Sequence, residues 1–345
     1  MYDQREGIGW GEEELGMSHQ QVAQMSLADE LVARRAGQNE QLGKIERLMQ
    51  WKPLERMLKR VYAAAEGRPA YPPLSMFKAL LLQQWYALSD PQLEEALADR
   101  LSFRRFVGLS LEQEVPDYST ISRFRQQLSG GLGEQLFGEV NRQLEARRLI
   151  IKRGTLIDAS LIEAAVSKPA AGRGGENLGH GSALDPDAQW AHRKGGGGSH
   201  FGYKVHVAVD AGSGLIRKVL MTGAKTNDSE VADQLICGDE GALFADKAYD
   251  SAARRELLSR MGIADGIMRR AWWGSVRAGH PDPQLVARNQ ALSKVRYQVE
   301  RVFAVMKRGY QYRRVRYRGL VRNRTQLSLI CIAINLRRAL ILRAT

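Results

Sequence analysis

The sequence predicts an α/β protein in which an all-α N-terminal domain precedes a larger domain built on a mixed sheet. Three observations predict it. Between about residues 40 and 150, apolar residues recur at three- and four-residue spacing, the repeat of helices with one buried face. From Thr155 the period drops to two, as in strands. Beyond Asp210, short apolar runs alternate with helical ones. At 345 residues and 44% hydrophobic content, the chain can fill one large core or two ordinary ones.

Residues 1–39 read as a weakly ordered, acidic leader, and no signal peptide is expected there because no basic start precedes an apolar run. In the helical domain, 40–150, one helix starts after Pro72-Pro73. Another starts at Asp90-Pro91, with Asp90 as N-cap. A third opens at Asp117 and runs through Leu128, and its outer face is expected to carry Arg123 and Arg125. Short helices ending on a basic one suit a helix-turn-helix-like DNA reader, with a plain helical bundle as the alternative.

The second domain, 151–345, begins with the strand Thr155-Leu156-Ile157-Asp158. Phe201 to Asp210 alternates Tyr203, Val205, Val207 and Val209 with Lys204, His206 and Ala208. A turn at Asp210-Ala211-Gly212-Ser213-Gly214 then leads into Leu215–Met221, which makes a hairpin. A helix from Asp228 to Ile236 follows, then a strand from Ala242 to Ala245 ending at Asp246, a helix from Ser251 to Arg260, and a strand near Ile263–Met268. The Gly-, Ala- and Pro-rich stretch 163–199 is predicted to be a flexible loop.

A net charge of +13 calls for a polyanionic partner, since neutralised phosphates release counterions. Charge alone leaves nucleic acid and an anionic membrane surface both open. The apolar run Leu327–Leu336 is too short to span a bilayer and reads as a core helix. Cys237 and Cys331 sit in apolar helical context, as buried thiols in a reducing compartment do.

Asp158 and Asp246 each close a short apolar run and are predicted at strand ends, where an aspartate can form a turn or hold a ligand. Glu300 is the one carboxylate from Pro283 onward, in a segment otherwise full of Lys and Arg. On a regular helix Arg296, Glu300 and Lys307 fall within about 40° of one another, so one face offers a carboxylate between two cations. Ordinary surface ion pairs remain the alternative for that face. Three carboxylates suffice to hold two hard divalent cations about 4 Å apart, the arrangement that activates an attacking oxygen and stabilises a leaving one in phosphoryl transfer.

Beyond Lys307 lie Arg308, Arg313, Arg314, Arg316, Arg318, Arg322 and Arg324, interleaved with Tyr310, Tyr312 and Tyr317. Such a run supplies phosphate contacts and rings that can stack on bases. Trp272 and Trp273, beside Arg269 and Arg270, read as core residues with base stacking as the alternative. Lys204 and His206 read as a solvated strand face, with approach to the carboxylates as the alternative.

These residues together resemble the DDE transposases of bacterial insertion sequences, in the branch called insertion sequence five and related to insertion sequence four. The resemblance covers roughly residues 40–340. Its motifs are Thr155-Leu156-Ile157-Asp158-Ala159, Ala245-Asp246-Lys247-Ala248-Tyr249-Asp250, and a signature of Tyr, two residues, Arg, three residues, Glu, six residues, Lys. Arg296, Glu300 and Lys307 match that spacing, while Ser293 stands at the Tyr position. The run from Pro72 through Arg125 is similar to the family's helical N-terminal domain.

The resemblance implies a ribonuclease-H-like fold with Asp158 on the first strand, Asp246 on the fourth and Glu300 on a later helix. Asp158 would bridge two Mg²⁺ ions, for which Mn²⁺ can substitute, and the other two acids would each complete one site. It further implies end cleavage by water followed by strand transfer. Partners would be double-stranded DNA as terminal inverted repeats and target, and a second copy of the chain; the expected setting is the bacterial cytoplasm and nucleoid, with no membrane. A non-catalytic DNA-binding regulator and a recombination nuclease of the same fold are the competing readings.

Overall fold

A computed structural model describes residues 40–61, 70–166, 184–192, 199–270 and 282–344. The helical part comprises α1 (Glu40–Leu48), α2 (Trp51–Leu58), α3 (Pro73–Tyr86), α4 (Asp90–Asp99), α5 (Leu101–Val107), α6 (Tyr118–Gln127) and α7 (Leu132–Ala146). The α3 helix is apolar on every side and buries most of its length, as a helix surrounded by others must. The α4 cap differs from expectation by one position: Ser89 is the N-cap, closing a reciprocal capping box with Gln92, and Asp90 is the first helical residue. Asp117 caps α6 by accepting from the Thr120 amide at 2.6 Å.

The sheet comprises β1 (Thr155–Glu163), β2 (Gln189–His192), β3 (Ser199–Asp210), β4 (Ile216–Gly223), β5 (Ala242–Ala245) and β6 (Ala264–Ile267). Helices α8 (Asp228–Leu235) and α9 (Ala252–Arg260) alternate with its later strands, and α10 (Pro283–Ala304) and α11 (Leu320–Ala344) complete the chain. The β1 strand is central, antiparallel to β3 and parallel to β5, which is in turn parallel to β6. β4 adds antiparallel to β3, so the order β4-β3-β1-β5-β6 is that of a ribonuclease-H-like sheet, with β2 an extra strand on β3. A Cβ at Gly202 would lie 2.2 Å from the Ile162 carbonyl, so only glycine allows β3 to run this close to β1.

The stretch 163–199 is not all loop. Glu163 belongs to β1, β2 lies within the stretch, and Asp185 and Asp187 pin it to the start of α11 by accepting the Gly319 amide at 3.2 Å and the Leu320 amide at 2.7 Å.

Apolar residues fill both faces of the sheet. On one, Ile157 and Ala208 pack with Leu235 of α8 and Leu258 of α9. On the other, Leu156, Val205 and Val207 join Val299 of α10 and Ile330 of α11 in a core that also takes in Leu54, Leu80 and Leu136 of the helical part. No break in packing therefore marks residue 150, because α11 threads back among the N-terminal helices. Trp85 Nε1 donates to the Ala333 carbonyl at 2.9 Å, and Arg337 donates to the Trp85 carbonyl at 3.0 Å. The predicted core helix Leu327–Leu336 is this buried part of α11, and Cys331 within it is fully buried. Among the described residues no helix is long and apolar enough to cross a membrane.

One side chain ties the three layers together. Asn335 accepts from the Ile216 amide at 2.9 Å, donates to the Ile216 carbonyl at 2.8 Å and donates to Asn141 of α7 at 2.8 Å, all three residues being buried. Asn335→Leu leaves the Ile216 amide and the Asn141 side-chain oxygen unpaired in the core, while the Ile216 carbonyl keeps Asn141 Nδ2 at 3.0 Å, and should cost about 3 kcal/mol of unfolding free energy by denaturant titration.

Candidate active site

The strand register brings the two aspartates together. Leu156 of β1 pairs with Phe244 of β5, the last pair between these strands, and Asp158 and Asp246 each follow two residues later, near enough that the charge of Asp246 acts on Asp158. β5 ends at Ala245, and β1 runs on to Glu163. Asp158 thus lies within its strand, not at its end as predicted; the run it closes is only the apolar half of β1. Asp246 leaves β5 into the turn Lys247–Tyr249, where its side chain accepts from the Ala248 amide at 3.3 Å.

Across this face lies α10. Arg296 donates to Asp158 Oδ2 at 3.2 Å, and Lys307 donates to Ser160 Oγ, two residues along β1, at 2.6 Å. Arg314 reaches Glu163 at 3.1 Å. Three cations therefore follow β1 from the aspartates outward. Between the first two, α10 widens into a π-helical turn over Val305–Gly309, a feature that tends to mark functional sites. The sequence missed that turn, and with it the true phase of Lys307.

Glu300 stands one turn beyond Arg296, but its side chain is exposed and has no partner among the described residues. Arg296 and Lys307 face β1, and Glu300 does not join the aspartates in a close carboxylate cluster.

Asp158 is poised to need a cation. Burial pushes its carboxyl above the usual carboxylate range, Arg296 and the Ala159 amide pull it down, and the negative charges of Asp246 and Asp228 push it up again. Hard carboxylate oxygens under mutual repulsion suit a divalent ion. Around them, Arg296 Nε, Tyr249 Oη and His206 Nδ1 are buried without hydrogen-bond partners. The residues present fit a metal-holding role.

A second acidic group fits worse. Cys237, Asp239 and Glu240 place ligand atoms within 4.8 Å of one another. Yet Glu240 is spent on the amides of Cys237 at 3.0 Å, Gly238 at 2.9 Å and Asp239 at 3.2 Å, and Asp239 is paired with Arg217 and Lys152. Burial raises the Cys237 thiol to about 11, so it is no thiolate at neutral pH. These residues staple a turn.

Sequence reading missed Asp228, and its reading of Lys204 and His206 as a solvated face fails. Lys204 Nζ sits 2.8 Å from Asp228 Oδ1, and His206 is fully buried with Nδ1 4.0 Å from the same oxygen. Burial depresses the His206 imidazole to about 4, so it is neutral at physiological pH. The sequence signal was Asn227-Asp228 at a helix start, which is indistinguishable from a plain cap.

The expected DNA-contact residues divide. Arg123, Arg308, Arg313, Arg314, Arg316 and Arg318 are exposed. Arg125 is not: it is buried, donates to Asp90 Oδ2 at 3.0 Å and to Gln83 at 3.2 Å, and lies over the Tyr317 ring at 5.4 Å. Its place on an outer face is corrected, because a carboxylate on α4 draws it inward. Arg125→Ala should then lower stability by about 3 kcal/mol by stranding Asp90, whereas Arg123→Ala should leave the thermal midpoint in place and weaken DNA binding in a mobility-shift assay. Tyr310 and Tyr312 are buried, so they are core residues and cannot stack on bases. Trp272 and Trp273 lie outside the described residues.

A family model described as a transposase DDE domain matches residues 151–336, and one described as a transposase domain matches residues 29–127. Solved structures offer distant likenesses. A piggyBac transposase synaptic complex with hairpin DNA is 12% identical over 89% of this chain and 73% of that one, at a TM-score of 0.40. A Mos1 transposase paired-end complex with left transposon end is 11% identical over 84% and 94%, at 0.20. Scores this low leave the assignment to the family match. That match spans more than half of the sequence and contains both aspartates and the helix that faces them, so the chain belongs to the DDE transposases, the divalent-metal-dependent enzymes that cut and move insertion sequences.

Proposed function

We propose that this transposase binds the terminal inverted repeats of its element and cuts and joins DNA with two Mg²⁺ ions held by Asp158, Asp246 and Glu300. The observation that carries the reading is the register of β1 and β5, which sets Asp158 beside Asp246 with Arg296 and Lys307 along the same strand. Asp158, Asp246 and Glu300 would hold the ions, Glu300 by turning inward about its own side-chain torsions. When bound, the ions activate the attacking oxygen and stabilise the leaving one.

Water attacks the phosphorus at the element's end, and the P–O bond to the element's 3′ oxygen breaks. The freed 3′-hydroxyl then attacks a target phosphodiester, forming one P–O bond as another breaks. Arg296 and Lys307 hold the phosphate beside the acids, offsetting the repulsion between an acidic site and an acidic substrate. Arg308, Arg313, Arg314, Arg316 and Arg318, with Arg123 on α6, bind backbone further out. Two ends must be held together, so the working unit is a dimer or larger on DNA in the bacterial nucleoid.

Cleavage of duplexes carrying the element's own ends tests this. With Mg²⁺ or Mn²⁺, nicking at the end in preference to scrambled duplex supports the proposal. Equal cutting of both duplexes would point to a general nuclease, and binding without cutting to a regulator.

A further inference from the structure

Beside the two aspartates lie a half-buried aspartate and a buried tyrosine that the three-acid reading does not use. Asp228 opens α8, and Tyr249 closes the turn that Asp246 begins. Arg254 clamps these elements together, donating to Asp233 at 2.6 Å, to the Ser229 carbonyl at 2.7 Å and to the Tyr249 carbonyl. Asp228 and Tyr249 are therefore fixed relative to Asp246 by a network that does not involve α10.

Tyr249 is 1% exposed, yet its hydroxyl has no partner, and neither does His206 Nδ1; Asp228 Oδ1 is held by Lys204 at 2.8 Å, which leaves its other oxygen for a further ligand. A buried hydroxyl left unpaired costs about 1–3 kcal/mol, and such clusters of polar atoms are where ordered water or ions bind. The hydroxyl lies within reach of the charges of Asp228, Asp158, Arg296 and Asp246. It is an unpaired donor in the turn that Asp246 caps, where a metal's water would complete its bonding.

We infer that Asp228 and Tyr249 form an outer wall of the metal site: the Tyr249 hydroxyl donates to an oxygen of the metal's hydration shell, and Asp228, a fourth carboxylate, accepts from that shell. Both are positioning residues. Neither replaces Glu300, and the inference rests on Asp158 being a metal ligand.

Mn²⁺ binding to the intact, DNA-free protein, followed by loss of the free-ion electron paramagnetic resonance signal, tests this without any turnover. Tyr249→Phe and Asp228→Asn should each weaken Mn²⁺ binding by about tenfold, Asp228→Glu should restore part of the loss, and Asp158→Asn should abolish it. The metal-free Tyr249→Phe protein should melt no lower than the parent, because it loses only an unpaired hydroxyl. Unchanged Mn²⁺ affinity in Tyr249→Phe and Asp228→Asn, with binding lost in Asp158→Asn, would overturn the inference and leave the active-site reading standing. Unchanged affinity in Asp158→Asn would instead overturn that reading.

Discussion

Asp158→Asn should lower strand cleavage at the element's end by about a thousandfold or more, the loss of roughly 4 kcal/mol of transition-state stabilisation, while leaving DNA binding intact. The separation follows from where the charges lie. Asp158 lies on the central strand near Asp246, whereas the exposed arginines lie along the outer segment that passes Glu163. Asn keeps an oxygen for the Ala159 amide, which now donates to Asp158 Oδ1 at 2.9 Å, and removes an anion that burial disfavours. The metal-free variant should therefore melt near the parent. Metal should raise the parent's midpoint, by about 2.7 kcal/mol in free energy at a hundredfold excess over the dissociation constant, and should not raise the variant's. Calorimetry with and without Mg²⁺, beside a gel assay of nicking, reads all three quantities. Loss of cleavage accompanied by a collapsed midpoint would instead make Asp158 a structural residue.

The second large effect lies in the basic segment. Arg308, Arg313 and Arg318 are exposed, and their side chains meet no partner among the described residues. Replacing all three by Ala should weaken DNA binding by about a hundredfold at moderate salt and reduce the slope of log affinity against log salt by roughly 2.7, three lost phosphate contacts at about 0.9 each. The loss should fall almost equally on end-containing and unrelated duplexes, since phosphate contacts carry no sequence. Each substitution should change stability by no more than about 0.5 kcal/mol. Arg314 and Arg316 are poorer probes because Arg314 pairs with Glu163 at 3.1 Å and Arg316 donates to the Leu88 carbonyl at 2.9 Å. A salt slope unchanged in the triple variant, measured by fluorescence anisotropy, would remove these residues from the interface.

The sequence alone reveals what the chain encodes locally. The hairpin around Asp210–Gly214, the strand Ala242–Ala245 and the capped start at Asp117 all emerge from period, turn chemistry or a side chain reaching its own backbone, each decided within a few residues. Asp158 and Asp246 were found because each follows an apolar run. The register that sets them side by side, however, comes from pairing residues far apart in sequence.

Long-range partners account for the misses. Arg125 has the look of a surface arginine until Asp90, on another helix, draws it inward. Lys204 and His206 sit on what looks like a polar strand face until α8 delivers Asp228 over it. Tyr310 and Tyr312 alternate with arginines as stacking residues would, yet the backbone turns both rings into the core. β2 is too short and too weakly patterned to stand out within its Gly-rich surroundings, and it forms because the edge of β3 beyond β4 is available for pairing.

In the proposed mechanism, acids far apart in the sequence meet around shared divalent ions. Anomalous diffraction from crystals grown with Mn²⁺ and the element's end DNA tests it most directly. Two manganese peaks about 4 Å apart are expected, with carboxylate oxygens of Asp158, Asp246 and a rotated-in Glu300 as their ligands at roughly 2.2 Å. Manganese bound at Asp239 and Glu240 instead, or a Glu300 carboxylate that stays turned to solvent with both ions in place, would contradict it.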